Sequence, residues 1–352
     1  MLLQLLPTNT PESTPSIQRG SFHGAGGTLL GMQIVNVCLT IVTLGAYHFW
    51  AKAKIRRYLF SQTAFAGDRF AYHGTGKELY QGFLKAMVVF GIPYFSLGAA
   101  HSFLALPQSV DFLLQAMAAL VLFLYVPVAI VNARRYRCTR TSWRGIRFSF
   151  RGRTVDFLKL YFKGWLFTLL TLGTYYPYFQ TQRQAFLHSH TYFGNQRFQF
   201  TGHGSGLMVP FAVTLFTTYA VLCLCGLALA LQLTNAGLTL LLIPFVLGPV
   251  WVWLLGQKQK YYWDHTTFGE ARFSSSITWQ KLFGLYLGNL ALLLLTLGWA
   301  WPWVTVRNAR FFIGTLSLQG LTDLDRVLQD TTETSVTGEG LSNLLDTGFD
   351  MD

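Results

Sequence analysis

The chain has 352 residues, 51% of them apolar and only 12% charged, with a mean hydropathy of +0.35. That excludes an ordinary soluble domain, where charged residues approach about a quarter. Aromatic residues make up 16%, including 10 Trp, which suits many membrane–water interfaces. The formal charge of +12 is uneven: Thr322 to Asp352 holds eight acidic residues and one Arg, so the rest is more basic still. Those bases flank apolar runs and form no single basic domain. Anionic lipid and the positive-inside rule explain them better than nucleic acid does.

Residues 1–20 read as a disordered lead-in. Met1 to Leu6 have no basic flank and no long apolar core, so they make no convincing cleaved signal peptide. Self-similarity organises the rest of the chain. Thr43-Leu44-Gly45 closes an apolar run and returns as Thr171-Leu172-Gly173 and Thr296-Leu297-Gly298, at an interval of about 125–128 residues. Upstream of each Thr, at the same distance, stands Phe22, Phe150 or Ser275. Gly45, Gly173 and Gly298 are therefore candidate structural positions. The repeat divides the chain into units over 21–140 and 141–265 and a partial unit over 266–320.

A shorter pattern recurs at Thr63–Tyr72, Thr141–Phe150, Thr191–Phe200 and Thr267–Ser274, with degenerate versions at 19–24 and 316–320. Aromatics alternate on its second arm (Phe70/Tyr72, Phe148/Phe150, Phe198/Phe200) and a Gly lies between the arms. This predicts short β-hairpins. Arg69, Arg147, Arg197 and Arg272 then face away from the aromatic side, as solvated structural positions rather than ligands.

The first Thr-Leu-Gly run, Leu29–Trp50, is long enough for a tilted crossing of a ~30 Å hydrocarbon core. Phe83–Leu106 and Phe112–Val131 form a tight helical pair, as do Leu207–Leu233 and Leu238–Leu255. These are four firm transmembrane helices, and Pro93 and Pro127 are breaks that neighbouring helices can satisfy. Lys159 and Lys163 cut short the middle Thr-Leu-Gly run, and Leu282–Val306 is the last. Asn36 and Asn289 are candidate intramembrane polar positions, seven residues before their Thr; Gly164 stands at the matching place.

The fold class expected is thus an α-helical multi-pass membrane protein with internal repeats and short β-hairpins flanking apolar segments. Its topology has two versions. If every Thr-Leu-Gly run spans, there are seven helices and the second unit is inverted, as in many secondary transporters. If those runs bend at the Gly and re-enter, or lie in the interface, only the four firm helices cross. All hairpins and Lys/Arg then share the cytoplasmic side. The interrupted middle run, and the weakness of lone hairpins that could merge into a sheet, favour the second.

Chemistry is sparse. Cys38, Cys223 and Cys225 lie in apolar runs and Cys138 in a basic segment, with no disulfide or zinc spacing. His73-Gly74-Thr75-Gly76-Lys77 lacks the rest of a phosphate loop. Asp264/His265 and His188/His190 complete no nucleophile–base or metal set. No catalytic residue, cofactor or metal is expected, and the chain does not read as an enzyme. The tail from 321 to 352 is acidic and reads as disordered, with leucines that could dock a protein partner.

The series Phe22-His23-Gly24, Asn36, Leu39-Thr40, Thr43-Leu44-Gly45, Tyr47, Trp50-Ala51-Lys52, Arg57-Tyr58, Thr63, Gly67-Asp68-Arg69-Phe70, Gly74-Thr75-Gly76 resembles the YjgN-like family of bacterial inner-membrane proteins. The resemblance extends through the repeats to about residue 320 and implies a multi-pass inner-membrane protein of unknown function. It brings no catalytic or binding residues. The expected role is a membrane scaffold or lipid- and envelope-organising protein whose basic cytoplasmic face grips anionic headgroups. The alternative is a small-solute transporter or channel built on inverted repeats.

Overall fold

A computed structural model describes residues 17–103, 107–232 and 234–320. Among these, ten short strands alternate with helical excursions. β1 (Gln18–Phe22) leads into α1 (Gly26–Val42) and α2 (His48–Gln62). A hairpin of β2 (Thr63–Phe65) and β3 (Asp68–Tyr72) precedes α3 (Gly76–Ala86), a π-helical stretch (Met87–Gly91), α4 (Ile92–Phe103) and α5 (Gln108–Thr139). Next come β4 (Thr141–Trp143), β5 (Ile146–Phe150), α6 (Thr154–Leu170) and α7 (Tyr176–Ser189). β6 (Thr191–Phe193) and β7 (Gln196–Phe200) precede a 3-10 turn, α8 (Met208–Ala230) and α9 (Ala236–Asp264). β8 (Thr266–Phe268), β9 (Ala271–Ser275), α10 (Trp279–Leu295), α11 (Trp301–Gly314) and β10 (Leu316–Gln319) complete the described chain.

All ten strands close into one antiparallel barrel. Each hairpin pairs internally, then with the next hairpin across an excursion, and β10 meets β1 through Gln18↔Leu318 and Arg19↔Ser317. Strands this short cannot stand as isolated hairpins, and closure removes their free edges. The short hairpins expected from the sequence are therefore parts of a single body, and the sheet they form is closed. Gln18 to Gly20, inside the expected lead-in, are strand; residues 1–16 and the acidic tail lie outside the described residues.

Closure fixes where the helices go. Phe22 pairs with Thr63, Tyr72 with Thr141, Phe150 with Thr191, Phe200 with Thr266 and Ser275 with Leu316. Each excursion thus begins and ends side by side at the same rim, and the tight turns of the four hairpins occupy the other. Neighbouring excursions pack together (α2 on α3, α5 on α6, α9 on α10, α11 on α1), so a ring of helices continues the barrel. The second unit is not inverted against the first, because strands of both enter the same barrel in the same sense.

The Thr-Leu-Gly segments are turns between two helices. Their first helices, α1, α6 and α10, have 17 residues each, or about 25 Å of rise. Thr43 caps both sides: its hydroxyl donates to the Leu39 carbonyl at 2.7 Å and accepts from the Tyr47 N–H at 2.9 Å. Thr171 and Thr296 do the same toward Phe167/Tyr175 and Leu292/Ala300. Gly45, Gly173 and Gly298 take φ of +94°, +91° and +88°, and their N–H groups reach back to Thr40, Thr168 and Leu293. Such backbone closes a helix and favours glycine. The preceding Leu44, Leu172 and Leu297 also have positive φ, and they are 97%, 79% and 91% exposed. At the long pairs the chain adapts differently: the π-helical stretch ends just before Pro93, whose missing N–H would break a regular ladder.

One joint recurs wherever a returning helix meets its strand. The hydroxyls of Thr63, Thr141, Thr191, Thr266 and Thr315 donate to the carbonyls of Leu59, Arg137, Leu187, Tyr262 and Phe311 at 2.6–3.0 Å. This corrects the fourth hairpin, which starts at Thr266, not Thr267: the preceding Thr makes the joint. Arginine and tyrosine lace the rim. Arg57, Arg135 and Arg310 donate to the Gly74, Gly152 and Gly24 carbonyls, and Tyr58 and Tyr261 bond the backbone of Ala25 and His203.

Space is open around both Gly45 and Gly298, so alanine there meets only backbone strain. Each substitution should cost about 1 kcal/mol of stability. Gly226→Ala, in an open stretch of α8, should be neutral or mildly stabilising. Thermal unfolding of the purified protein compares the three.

Candidate functional site

The strand pattern sends one face outward and the other into the barrel. Arg69, Arg147, Arg197 and Arg272 are all exposed on the outer face, opposite Ala64, Ser142, Tyr192 and Thr267 in register. The inner face is aromatic. Between neighbouring hairpins Phe70 pairs with Trp143, Phe148 with Phe193 and Phe198 with Phe268. Their rings touch, with centroids 6.1, 4.8 and 4.9 Å apart. Phe70, Phe148, Phe198 and Phe273 also stack on one another along the wall. An eight-stranded barrel is filled by such side chains; ten strands leave room. The lumen holds a cavity of about 440 Å³.

Its polar end lies at the helical rim. Arg134, Arg137 and Cys138 reach it from the end of α5, and His188 and Trp263 from α7 and α9; Thr141, Thr191 and Thr266 line it at the joints. Among the described residues no Asp or Glu lines it. Arg134 donates from Nη2 to Thr191 Oγ1 at a long 3.4 Å, while its buried Nε has no partner among them. Arg137 Nε donates to the Ala133 carbonyl. His188 packs against Phe200 and Trp263, with Nδ1 3.4 Å from Thr266 Oγ1. Burial, and then the neighbouring Arg134 charge, hold its pKa down to about 4. The imidazole is neutral at physiological pH, so the two arginines carry the charge of this end.

The polar positions expected inside the membrane lie elsewhere. Asn36 on α1 is 3% exposed, and both its side-chain atoms are buried without a partner among the described residues. Asn289 on α10 is 4% exposed and donates to Asn308 Oδ1 at 2.7 Å. Their middle counterpart Gly164 is filled over by the ring of Phe179. The structure brings none of these, nor the turn glycines, to the lumen. Arg134 and Arg137 were visible in the sequence only as two of many bases in one segment. His188 carried no signal beyond its spacing to His190. Among the described residues no group of three His, Cys, Asp or Glu is placed to hold a metal.

This architecture is that of an integral membrane protein. Gly76–Phe103, Gln108–Thr139, Gly204–Ala230 and Ala236–Asp264 are each long and apolar enough to cross a bilayer, and their apolar surfaces are largely exposed. The family described as bacterial protein of unknown function (DUF898) matches residues 17–344, and the chain belongs to it. Inner membrane protein YjgN of Escherichia coli O157:H7 is 35% identical over 130 residues, which is 37% of this chain and 30% of the relative. YjgN of Escherichia coli K12 is 32% identical over 130 residues and that of Salmonella typhimurium 33% over 131, with the same coverage. The chain thus aligns with less than a third of these relatives' length. The protein is a YjgN-like, multi-pass inner-membrane protein. No solved structure matches it.

His188 gives a pH test. The unfolded chain takes up this proton near 6.5, the folded protein only near 4. Unfolding therefore binds a proton between those values, and the stability present above pH 6.5 falls as pH drops toward 4. Thermal unfolding from pH 7.5 to 4.5 should show the decline, and His188→Gln should flatten it.

Proposed function

We propose that the protein is a membrane scaffold that organises lipid around a cytoplasmic barrel. The observation that carries this reading is the shared rim: every helical excursion leaves the barrel and returns to it. Two long pairs cross the bilayer, and the three Thr-Leu-Gly hairpins dip into the near leaflet and come back. Their helices rise about 25 Å, short of the ~30 Å core. Leucine at each tip supports the same placement. In water a left-handed turn position favours Asn or Gly; an exposed Leu held there gains most when it sits in hydrocarbon.

The basic residues fit. Arg56, Arg135, Lys260 and Arg310 ride on the barrel-side halves of returning helices, at the headgroup level of this arrangement. There they favour anionic lipid. Trp299, Trp301 and Trp303 stand at the turn of the third hairpin, and the first carries Trp50 on its returning helix. The acidic tail is a candidate handle for a protein partner. A second reading, passage of a small solute, is favoured by the cavity in the lumen. Solute flux through the purified protein in vesicles would support it over the scaffold.

Sidedness tests the arrangement. In protein with its four native Cys replaced, single cysteines at Asp68 and Asn195 should both resist an impermeant thiol reagent until cells are opened. A cysteine at Leu172 should stay unreactive from either side. Labelling of Asn195, but not Asp68, in intact cells would overturn the reading.

A further inference from the structure

We infer that the barrel lumen is a binding site for a small amphipathic anion: one apolar body carrying a single carboxylate, with the carboxylate held at Arg134. The inference concerns the inside of the barrel and stands apart from the scaffold reading, which concerns its rim and its helices.

The cavity sets the size and the chemistry. At about 440 Å³ it lies near the lower end of the ~300–1,000 Å³ typical of small-molecule sites. That suits one ring system or a short chain rather than a large polar ligand. Its wall is a continuous surface of stacked rings from Phe70 through Phe148 and Phe198 to Phe273. Flat aromatic walls recognise an apolar body and leave its polar group to be fixed at one end.

The end supplied here is cationic. Arg134 and Arg137 line the cavity and, among the described residues, no carboxylate does. A guanidinium next to apolar surface is costly unless an anion pairs with it. Two structural explanations for Arg134 fall short. The helix dipole rewards cations only within the last turn, and α5 ends at Thr139; Arg137 occupies that turn and Arg134 precedes it. Internal hydrogen bonding accounts for one long contact, to Thr191, and leaves Nε buried and unpartnered among the described residues. A carboxylate at this end would complete the guanidinium with charge-assisted bonds. His188 beside it is neutral, so it offers a hydrogen bond without competing for the anion. Cys138, 8% exposed, lines the same end and reports on its occupancy.

The test uses the full chain in nanodiscs and 2-naphthoate as probe, with the neutral 2-naphthamide as control. Equilibrium binding should show one saturable naphthoate site, with the amide at least tenfold weaker. Arg134→Gln should weaken naphthoate at least tenfold and abolish its preference over the amide. Arg147→Gln, on the outer face, should change neither. Equal binding of the two probes, unchanged naphthoate binding in Arg134→Gln, or uptake no greater than in empty nanodiscs would overturn the inference. A second measurement leaves every lumen residue native. With Cys38, Cys223 and Cys225 replaced by Ser, methyl methanethiosulfonate modification of Cys138 should slow severalfold in naphthoate and not in naphthamide. An unaltered rate would count against the site even if the Arg134 variant failed to fold.

Discussion

Strands of three to five residues cannot hold a sheet together unless every edge is paired, and that requirement shapes this protein. β2, β4, β6 and β8 have three residues each. A hairpin built on one of them is marginal by itself. Ten such strands become stable by closing on one another, and closure depends on β1 meeting β10 from opposite ends of the described chain. Once closed, the barrel dictates that each helical segment begins and ends on neighbouring strands. The helical part is therefore a set of hairpins suspended from one ring, whatever the length of each.

The junction between the two parts is built from side chains that satisfy backbone. A returning helix ends with unpaired carbonyls just where it must become a strand. The joint Thr takes up one of them, the Arg side chains take carbonyls from the next loop around the ring, and Tyr58 and Tyr261 bond the loop that opens their own excursion. Arg137, in the last turn of α5, also faces the negative partial charge at that helix's C-terminus. Arg134 stands out because it precedes that turn and lines the lumen with its Nε buried and unpartnered among the described residues.

Local features were legible in the sequence, and long-range ones were not. The hairpins could be read from alternating aromatics around a Gly, and the outward Arg followed from the same alternation. Thr-Leu-Gly was recognisable as a recurring unit, but hydropathy could not separate a bend from a straight run. The bend lies in the positive φ of Leu and Gly and in the double capping by Thr. Closure was hidden because the decisive pairs, such as Tyr72 with Thr141, lie across a helical excursion and have no local signature. The lumen was hidden with it: aromatics on one face of each hairpin form a chamber only when the ring is complete. A one-residue slip at Thr267 shows the same limit, since Thr266 and Thr267 differ only in which one meets the Tyr262 carbonyl.

Closure of the ring is the claim on which the rest depends, and a disulfide can test it. Arg19 and Ser317 are directly opposed on β1 and β10, and opposed residues of antiparallel strands lie about 4.5–5.5 Å apart at Cα, within disulfide range. With the four native cysteines replaced, Arg19→Cys with Ser317→Cys should form an intramolecular bond in near-full yield under mild oxidation, seen as a mobility shift reversed by reductant. A control pair, Arg69→Cys with Ser317→Cys, should not. Failure of the first pair to cross-link, or equal cross-linking of both, would contradict a closed barrel.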